Sequence, residues 1–227
     1  MFWILQHQDL VPPGRYARLL DERQVAWQCC RLHEGDSLPK LQTGDGVLVL
    51  GGTMGAYEEE RYPWLEPLKE WMQEATAGGW PLLTICLGAQ LLAAALGGAV
   101  HARRHAERGV CRIQLADAAL DDPLFSGVAR AFPALQWHND SFDPPADAQL
   151  LASSNVCPHQ AFRYRNAYAL QFHPEVEATI VVGWNALLKR PGEYVGEFVA
   201  AQGDWQPTWD RLFENFLVLC GSIKKTD

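Results

Sequence analysis

No stretch of this chain approaches the roughly 20 uninterrupted apolar residues of a membrane span, so no membrane association is expected. Positive charge is scarce. Against 27 Asp and Glu stand only 19 Lys and Arg, a formal net charge of −8. That balance argues against a general nucleic-acid binder, because phosphate affinity requires clustered cations. The only basic knots, Arg103-Arg104-His105 and Lys224-Lys225, read as solvated surface. The six cysteines (Cys29, Cys30, Cys86, Cys111, Cys157, Cys220) form no CxxC pair and no zinc-like spacing, so no metal site is predicted. Cys29 and Cys30, being adjacent, would point to opposite faces of a strand. Scattered thiols in an acidic chain suggest a reducing compartment. The opening Met1-Phe2-Trp3-Ile4-Leu5-Gln6-His7 has neither the basic start nor the apolar core of a signal peptide. A cytoplasmic location is therefore expected. There is no internal repeat, low-complexity tract or Ser- or Gly-rich linker.

What is present is a chain of 227 residues, 48% hydrophobic, enough for one large α/β domain over residues 1–227. Short apolar runs stop repeatedly at Gly, His or polar clusters, as strands do when they deliver loops to one edge of a sheet. Strands are predicted at 2–6, 25–32, 46–50 and 82–85, and helices at 16–23, 63–77 and 88–96. Pro63 suits the first helical position, and Gly78-Gly79 and Gly97-Gly98 close the second and third helices. Beyond residue 100 shorter strand-like pieces occur at 110–115, 150–153, 161–164 and 168–172, separated by Asp, Pro and Asn turns. Val176, Ile180, Val181, Trp184 and Leu188 then recur at helical spacing, as do Trp209, Leu212, Phe213, Phe216 and Leu217. The pattern predicts a three-layer α/β/α sandwich around a central mixed, mostly parallel sheet.

The chemistry centres on Leu82-Leu83-Thr84-Ile85-Cys86-Leu87-Gly88-Ala89-Gln90. An apolar run breaks at a cysteine and resumes as a helix. A lone cysteine is ordinarily a small packing residue. A strand–turn–helix elbow instead exposes the sulfur at the sheet's carboxyl edge, where the helix N-terminus favours the thiolate. Far downstream, Gln171-Phe172-His173-Pro174-Glu175 offers an imidazole and a carboxylate two residues apart. A thiol with a distant His and acid is the pattern of nucleophilic acyl chemistry. The segment Gly51-Gly52-Thr53-Met54-Gly55 can bring bare backbone amides to an oxyanion, with the Leu87 amide as companion donor. Gln136-Trp137-His138-Asn139-Asp140-Ser141 is a polar cluster suited to a zwitterionic substrate. The other five cysteines, and the Trp and Phe stripes near the end, are expected in the core.

Together these segments resemble the class I glutamine amidotransferase family, the type built on a Cys-His-Glu triad. The nucleophile motif is Ile85-Cys86-Leu87-Gly88-Ala89-Gln90 and the base and acid motif is Gln171-Phe172-His173-Pro174-Glu175. Gly51-Gly52-Thr53-Met54-Gly55, Tyr62-Pro63-Trp64-Leu65, Trp137-His138-Asn139-Asp140-Ser141-Phe142 and Cys157-Pro158-His159-Gln160-Ala161-Phe162-Arg163 resemble a narrower branch. That branch comprises stand-alone proteins similar to the amidotransferase domain of GMP synthase.

The resemblance implies a flavodoxin-like fold, Cys86 as nucleophile, His173 as base and Glu175 as its orienting acid. It places the oxyanion amides at Gly52 and Leu87, and substrate contacts at Gln90, Asn139, Asp140 and Ser141. It implies no cofactor. Thr84 departs from the family, which commonly has Gly there, and a β-branched residue at that position is expected to crowd the elbow. At Thr53 the family frequently has Pro. The implied activity is hydrolysis of the γ-amide of glutamine through a γ-glutamyl thioester. With no P-loop and no Ser-Gly-Gly-x-Asp-Ser run, ATP-dependent amination would require a separate synthase subunit as partner. The alternatives are a free-standing γ-glutamyl hydrolase or peptidase, and a catalytically silent domain that regulates a partner. The aromatic-rich last helices are compatible with a homodimer.

Overall fold

The structure, a computed structural model, describes residues 1–187 and 194–224. Leu188 and Lys225, named above, lie outside them. Strands and helices alternate at first: β1 (Phe2–Gln6), α1 (Gly14–Glu22), β2 (Trp27–Arg31), β3 (Gly46–Val49), α2 (Leu65–Ala77), β4 (Leu82–Ile85) and α3 (Leu87–Ala95). Next come β5 (Ala99–His101), β6 (Glu107–Leu115), the short α4 (Asp117–Leu120), β7 (Ala131–His138), β8 (Ser141–Asp143), β9 (Gln149–Ser153), β10 (Ala161–Tyr164) and β11 (Ala167–Leu170). Two helices follow, α5 (Ala178–Ala186) and α6 (Val195–Leu219).

Nine strands form one sheet in the order β2-β1-β3-β4-β11-β10-β9-β6-β7, and β5 pairs with β8 separately. From β2 through β11 all pairings are parallel. From β11 to β7 all are antiparallel. The α/β sandwich expected from the alternation is the architecture observed. Every residue of β3, β4 and β11 is buried, as strands covered on both faces must be. Val47 and Val49 face a core shared with Leu68 and Met72 of α2 and Leu91 of α3. Leu48, Leu83 and Ile85 face the opposite core, with Leu19 of α1 and Leu212, Phe213 and Phe216 of α6. Tyr16 stacks on Phe213 at 4.0 Å between ring centroids. Each side chain fully buried in this way contributes about 1.5–3 kcal/mol. The stripes at 209–217 are therefore core, as expected.

One pairing positions everything that follows. β11 runs parallel to β4 with Leu170 opposite Ile85, and the Cys86 amide donates to the Leu170 carbonyl at 2.8 Å. The residues leaving these two strands, Cys86 on one and Gln171 to His173 on the other, therefore emerge side by side at the same carboxyl edge.

Three features depart from the sequence reading. α2 starts at Leu65, two residues past Pro63, because residues 58–62 are spent in turns, with the Arg61 and Tyr62 amides both bonded to Glu58 O. β5 and β8 have three residues each, too few to show a period. β7 is absent from the strands predicted above, and Gln136, Trp137 and His138 of the polar cluster belong to it. Pro133 hides it, since proline normally breaks a ladder. β7 is the last strand of the sheet, an edge position where proline is tolerated.

Gly88 is the close-packing point between α3 and the sheet. A Cβ there would lie 2.6 Å from Val49 O and 3.0 Å from Leu50 O, contacts with rigid backbone. Gly88→Ala is expected to lower stability by about 1–3 kcal/mol and to displace the cysteine elbow. Urea unfolding read beside residual activity checks this. An unchanged midpoint would show that helix and strand separate freely here.

Candidate active site

Cys86 joins β4 to α3 with φ 50° and ψ −105°, a conformation costing a non-glycine residue about 1–3 kcal/mol. Two bonds hold it there: its amide to Leu170 O, and its carbonyl accepting from the Gln90 amide at 3.0 Å. The turn aims the side chain away from the backbone at the N-terminal end of α3, where the helix dipole favours an anion. Cys86 is only 6% exposed. Thr84 does not crowd this turn. It is fully buried in mid-strand, where its hydroxyl donates to Tyr168 O at 2.9 Å, and its strand neighbours are Val49 and Ala169.

His173 follows β11, its amide tied to Leu135 O of β7 at 2.9 Å. Its Nδ1 meets Glu175 Oε1 at 2.8 Å, which leaves Nε2 for the thiol. The Trp184 ring packs edge-on against the imidazole with centroids 5.0 Å apart. Cys86 and His173 line one cavity. They flank Gly51, where an added methyl would sit 3.2 Å from His173 Cε1 and 3.4 Å from Cys86 Cβ. Burial works against charge on His173, but the Glu175 carboxylate and the anionic form of Cys86 outweigh it and lift the imidazole to about 10. The arrangement favours the charged form of the imidazole.

Glu175 is itself fully buried. Its backbone carbonyl accepts from the Arg15 amide at 2.8 Å, and Gly14 (φ 51°) passes so close that a Cβ would lie 2.4 Å from that carbonyl oxygen. The start of α1 thus pins the acid in place.

Gly52 lines the same cavity. A Cβ on it would fall 2.6 Å from Leu87 Cδ2, so the two residues proposed to bind an oxyanion are packed against each other. Among the described residues neither amide has a hydrogen-bond partner. The polar cluster divides. Gln90 lines the cavity and its Nε2 donates to Asp140 O at 3.2 Å and Gln171 Oε1 at 3.3 Å. Asn139 and Asp140 also face the cavity. Ser141 does not. It is fully buried and its Oγ accepts from Arg104 Nε at 3.3 Å, so it supports the loop from behind.

Several wall residues escaped the sequence reading. Arg103 lines the cavity, its backbone amide bonded to Asp140 Oδ1 at 2.9 Å, and Arg104 forms a bidentate pair with Asp143. Of the basic knot at 103–105, Arg103 is exposed as expected but sits at the rim of the cavity. Tyr57, Arg108 and Trp184 also line the wall, beside Trp137 of the polar cluster. His138, at the end of β7, bonds Asp140 O through Nδ1 at 2.9 Å and lies 3.4 Å from the buried Glu107 carboxylate. No sequence signal separates Tyr57, Arg103, Arg108 and Trp184 from ordinary surface or core positions, since they come from three separate segments, whereas Trp137 and His138 belong to the polar cluster already singled out. The cavity measures about 440 Å³, within the range of pockets that enclose a small molecule. Among the described residues no helix is long and apolar enough to cross a membrane.

The chain matches the family model "Glutamine amidotransferase class-I" over residues 16–181. It is 30% identical over 182 residues to the glutamine amidotransferase-like protein YfeJ of Salmonella typhimurium, covering 78% of this chain and 76% of that one. It is 34% identical over 171 residues to the glutamine-hydrolyzing GMP synthase of Thermomicrobium roseum, covering 73% of this chain but 31% of the synthase. Among solved structures, a glutamine amidotransferase from Thermotoga maritima superposes with a TM-score of 0.76 at 28% identity, covering 97% of this chain and 93% of the other. The residues that meet at the Cys86 elbow all fall within the matched span, and the chain belongs to the class I glutamine amidotransferase family.

Proposed function

We propose that the chain hydrolyses the γ-amide of glutamine, with Cys86 as nucleophile, His173 as proton carrier and Glu175 as the group that fixes and charges the imidazole. The observation that carries this reading is the convergence of the three side chains. A cysteine at a strained helix start and an imidazole raised to about 10 by a buried carboxylate share one cavity.

In the proposed sequence the thiolate adds to the γ-carbonyl carbon, and the oxygen takes the negative charge between the amides of Gly52 and Leu87. Each such donor is typically worth about 3–4 kcal/mol of barrier. The tetrahedral adduct collapses as His173 gives its proton to the nitrogen. The C–N bond breaks, ammonia leaves, and a γ-glutamyl thioester remains. Water then enters, His173 takes one of its protons, and hydroxide displaces the sulfur to release glutamate. Gln90, Asn139 and Asp140, which line the cavity, would hold the α-amino and carboxylate ends of the substrate. Any amination that uses the ammonia would belong to a separate synthase partner.

The test is direct. The isolated chain, given glutamine, should release glutamate and ammonia in equal amounts, and a glutamine-like alkylating analogue should label Cys86 stoichiometrically. No release and no labelling would leave a binding domain without chemistry. The distorted elbow that would have favoured that silent alternative is not supported, since Thr84 sits satisfied within β4.

A further inference from the structure

The floor and the mouth of the cavity differ in character. At the floor lie Cys86, His173, Gln90 and His138, all buried. At the mouth lie Arg103, Arg108, Asn139 and Tyr57, all exposed. The two arginines have no carboxylate partner among the described residues, in a chain with a net charge of −8. The acidic groups that share the wall are already engaged. Asp140 accepts from the Arg103 amide at 2.9 Å and from the Tyr57 hydroxyl at 3.0 Å. Glu58 accepts from the Gly55 amide at 2.6 Å.

Arg108 is held rather than trailing in solvent. Its guanidinium lies 5.3 Å from the Trp137 ring centroid, and one Nη donates to Asn139 Oδ1 at 3.3 Å. The remaining N–H groups of the fork stay available. A planar guanidinium fixed on an aromatic face is suited to two-point recognition of a carboxylate.

A γ-glutamyl group attached at Cys86, with its amino-acid end held by Gln90 and the 139–140 loop, leaves the amide nitrogen's substituent facing the mouth. Ammonia would use none of that space. We infer that the mouth is a leaving-group subsite in which Arg108, assisted by Arg103, binds a carboxylate on the amine side, so that the preferred substrates are γ-glutamyl amides of amino acids or short peptides. This deepens the proposed function and rests on it. The chemistry balances as before: the γ C–N bond breaks, the departing amino group takes the proton from His173, and water regenerates the thiolate with release of glutamate.

The experiment compares kcat/KM for three substrates, glutamine, γ-glutamylmethylamide and γ-glutamylglycine, in the wild-type chain, Arg108→Gln and Arg108→Lys. The wild type should prefer γ-glutamylglycine over the methylamide by about 10- to 100-fold, the range of a charge-assisted contact. Arg108→Gln should collapse that ratio toward unity through KM for γ-glutamylglycine, and Arg108→Lys should restore part of it. The preference should also shrink with added salt, because the contact is near solvent. Equal turnover of γ-glutamylglycine and the methylamide by the wild type would overturn the inference while leaving the glutaminase reading intact. So would an Arg108→Gln variant that lowers both alike. Silence toward all three substrates, with no labelling of Cys86, would instead remove the underlying reading and the inference together.

Discussion

Replacing Cys86 by alanine is expected to reduce glutamine hydrolysis by at least about 10⁴-fold, because removal of a nucleophile that acts as a unit with its base leaves only binding and oxyanion stabilisation. The fold should survive. Alanine adopts φ 50° no less readily than cysteine does, and the bonds from the Cys86 backbone to Leu170 and Gln90 involve no side chain. The loss is therefore assignable to chemistry. Cys86→Gly offers a second reading of the same turn. It should be equally inactive but more stable, by about 1 kcal/mol, since glycine tolerates a positive φ. Rates of ammonia release together with denaturant midpoints check both. A Cys86→Ala chain that still turned over glutamine within an order of magnitude would end the nucleophile assignment.

Glu175→Gln should lower kcat by about 10³- to 10⁴-fold, the scale seen when the acid of a triad loses its charge. The amide matches the carboxylate in shape but carries no charge to hold an imidazolium. Glu175 Oε2 is buried without a partner among the described residues, so a glutamine nitrogen there would also be a buried donor with nothing to bond, costing about 1–3 kcal/mol.

The pH dependence follows from the same contact. His173 is opposed by burial yet raised from 6.5 to about 10 by Glu175 and the Cys86 anion. A raised histidine contributes stability that is fully present below its unfolded value near 6.5. That contribution is lost as pH rises through the folded value near 10. Wild type should therefore exceed Glu175→Gln in stability most at about pH 6 and least near pH 10. Its activity should hold to an alkaline limb near 10 that the variant moves downward. An unshifted limb in Glu175→Gln would show that another group charges the imidazole.

How far the sequence could be read depended on how local each signal was. β3 and β4 are short runs dominated by Val, Leu and Ile and bounded by Gly, Pro and Cys, a pattern that fits strands buried on both faces. Cys86, His173 and Glu175 stood out because the strand–turn–helix setting and the two-residue His to Glu spacing are short-range patterns. β7 failed to register because Pro133 contradicts a strand unless its edge position is known, and that position exists only in the assembled sheet. Ser141 looked like its neighbours Asn139 and Asp140, yet the antiparallel pairing of β5 with β8 turns its hydroxyl toward Arg104. Arg103 and Arg108 looked like ordinary surface cations. Only the closing of residues 103–108 against the 137–140 segment makes them walls of a cavity.

The parallel docking of β11 beside β4 has a consequence for how the protein comes to life. Parallel neighbours so far apart in the chain require closure of a very long loop, a slow and entropically costly event in folding. A chain emerging during synthesis carries Cys86 long before it carries His173. Until β11 inserts beside β4, His173 is not held next to Cys86, so the proposed catalytic pair exists only once this late parallel pairing has formed.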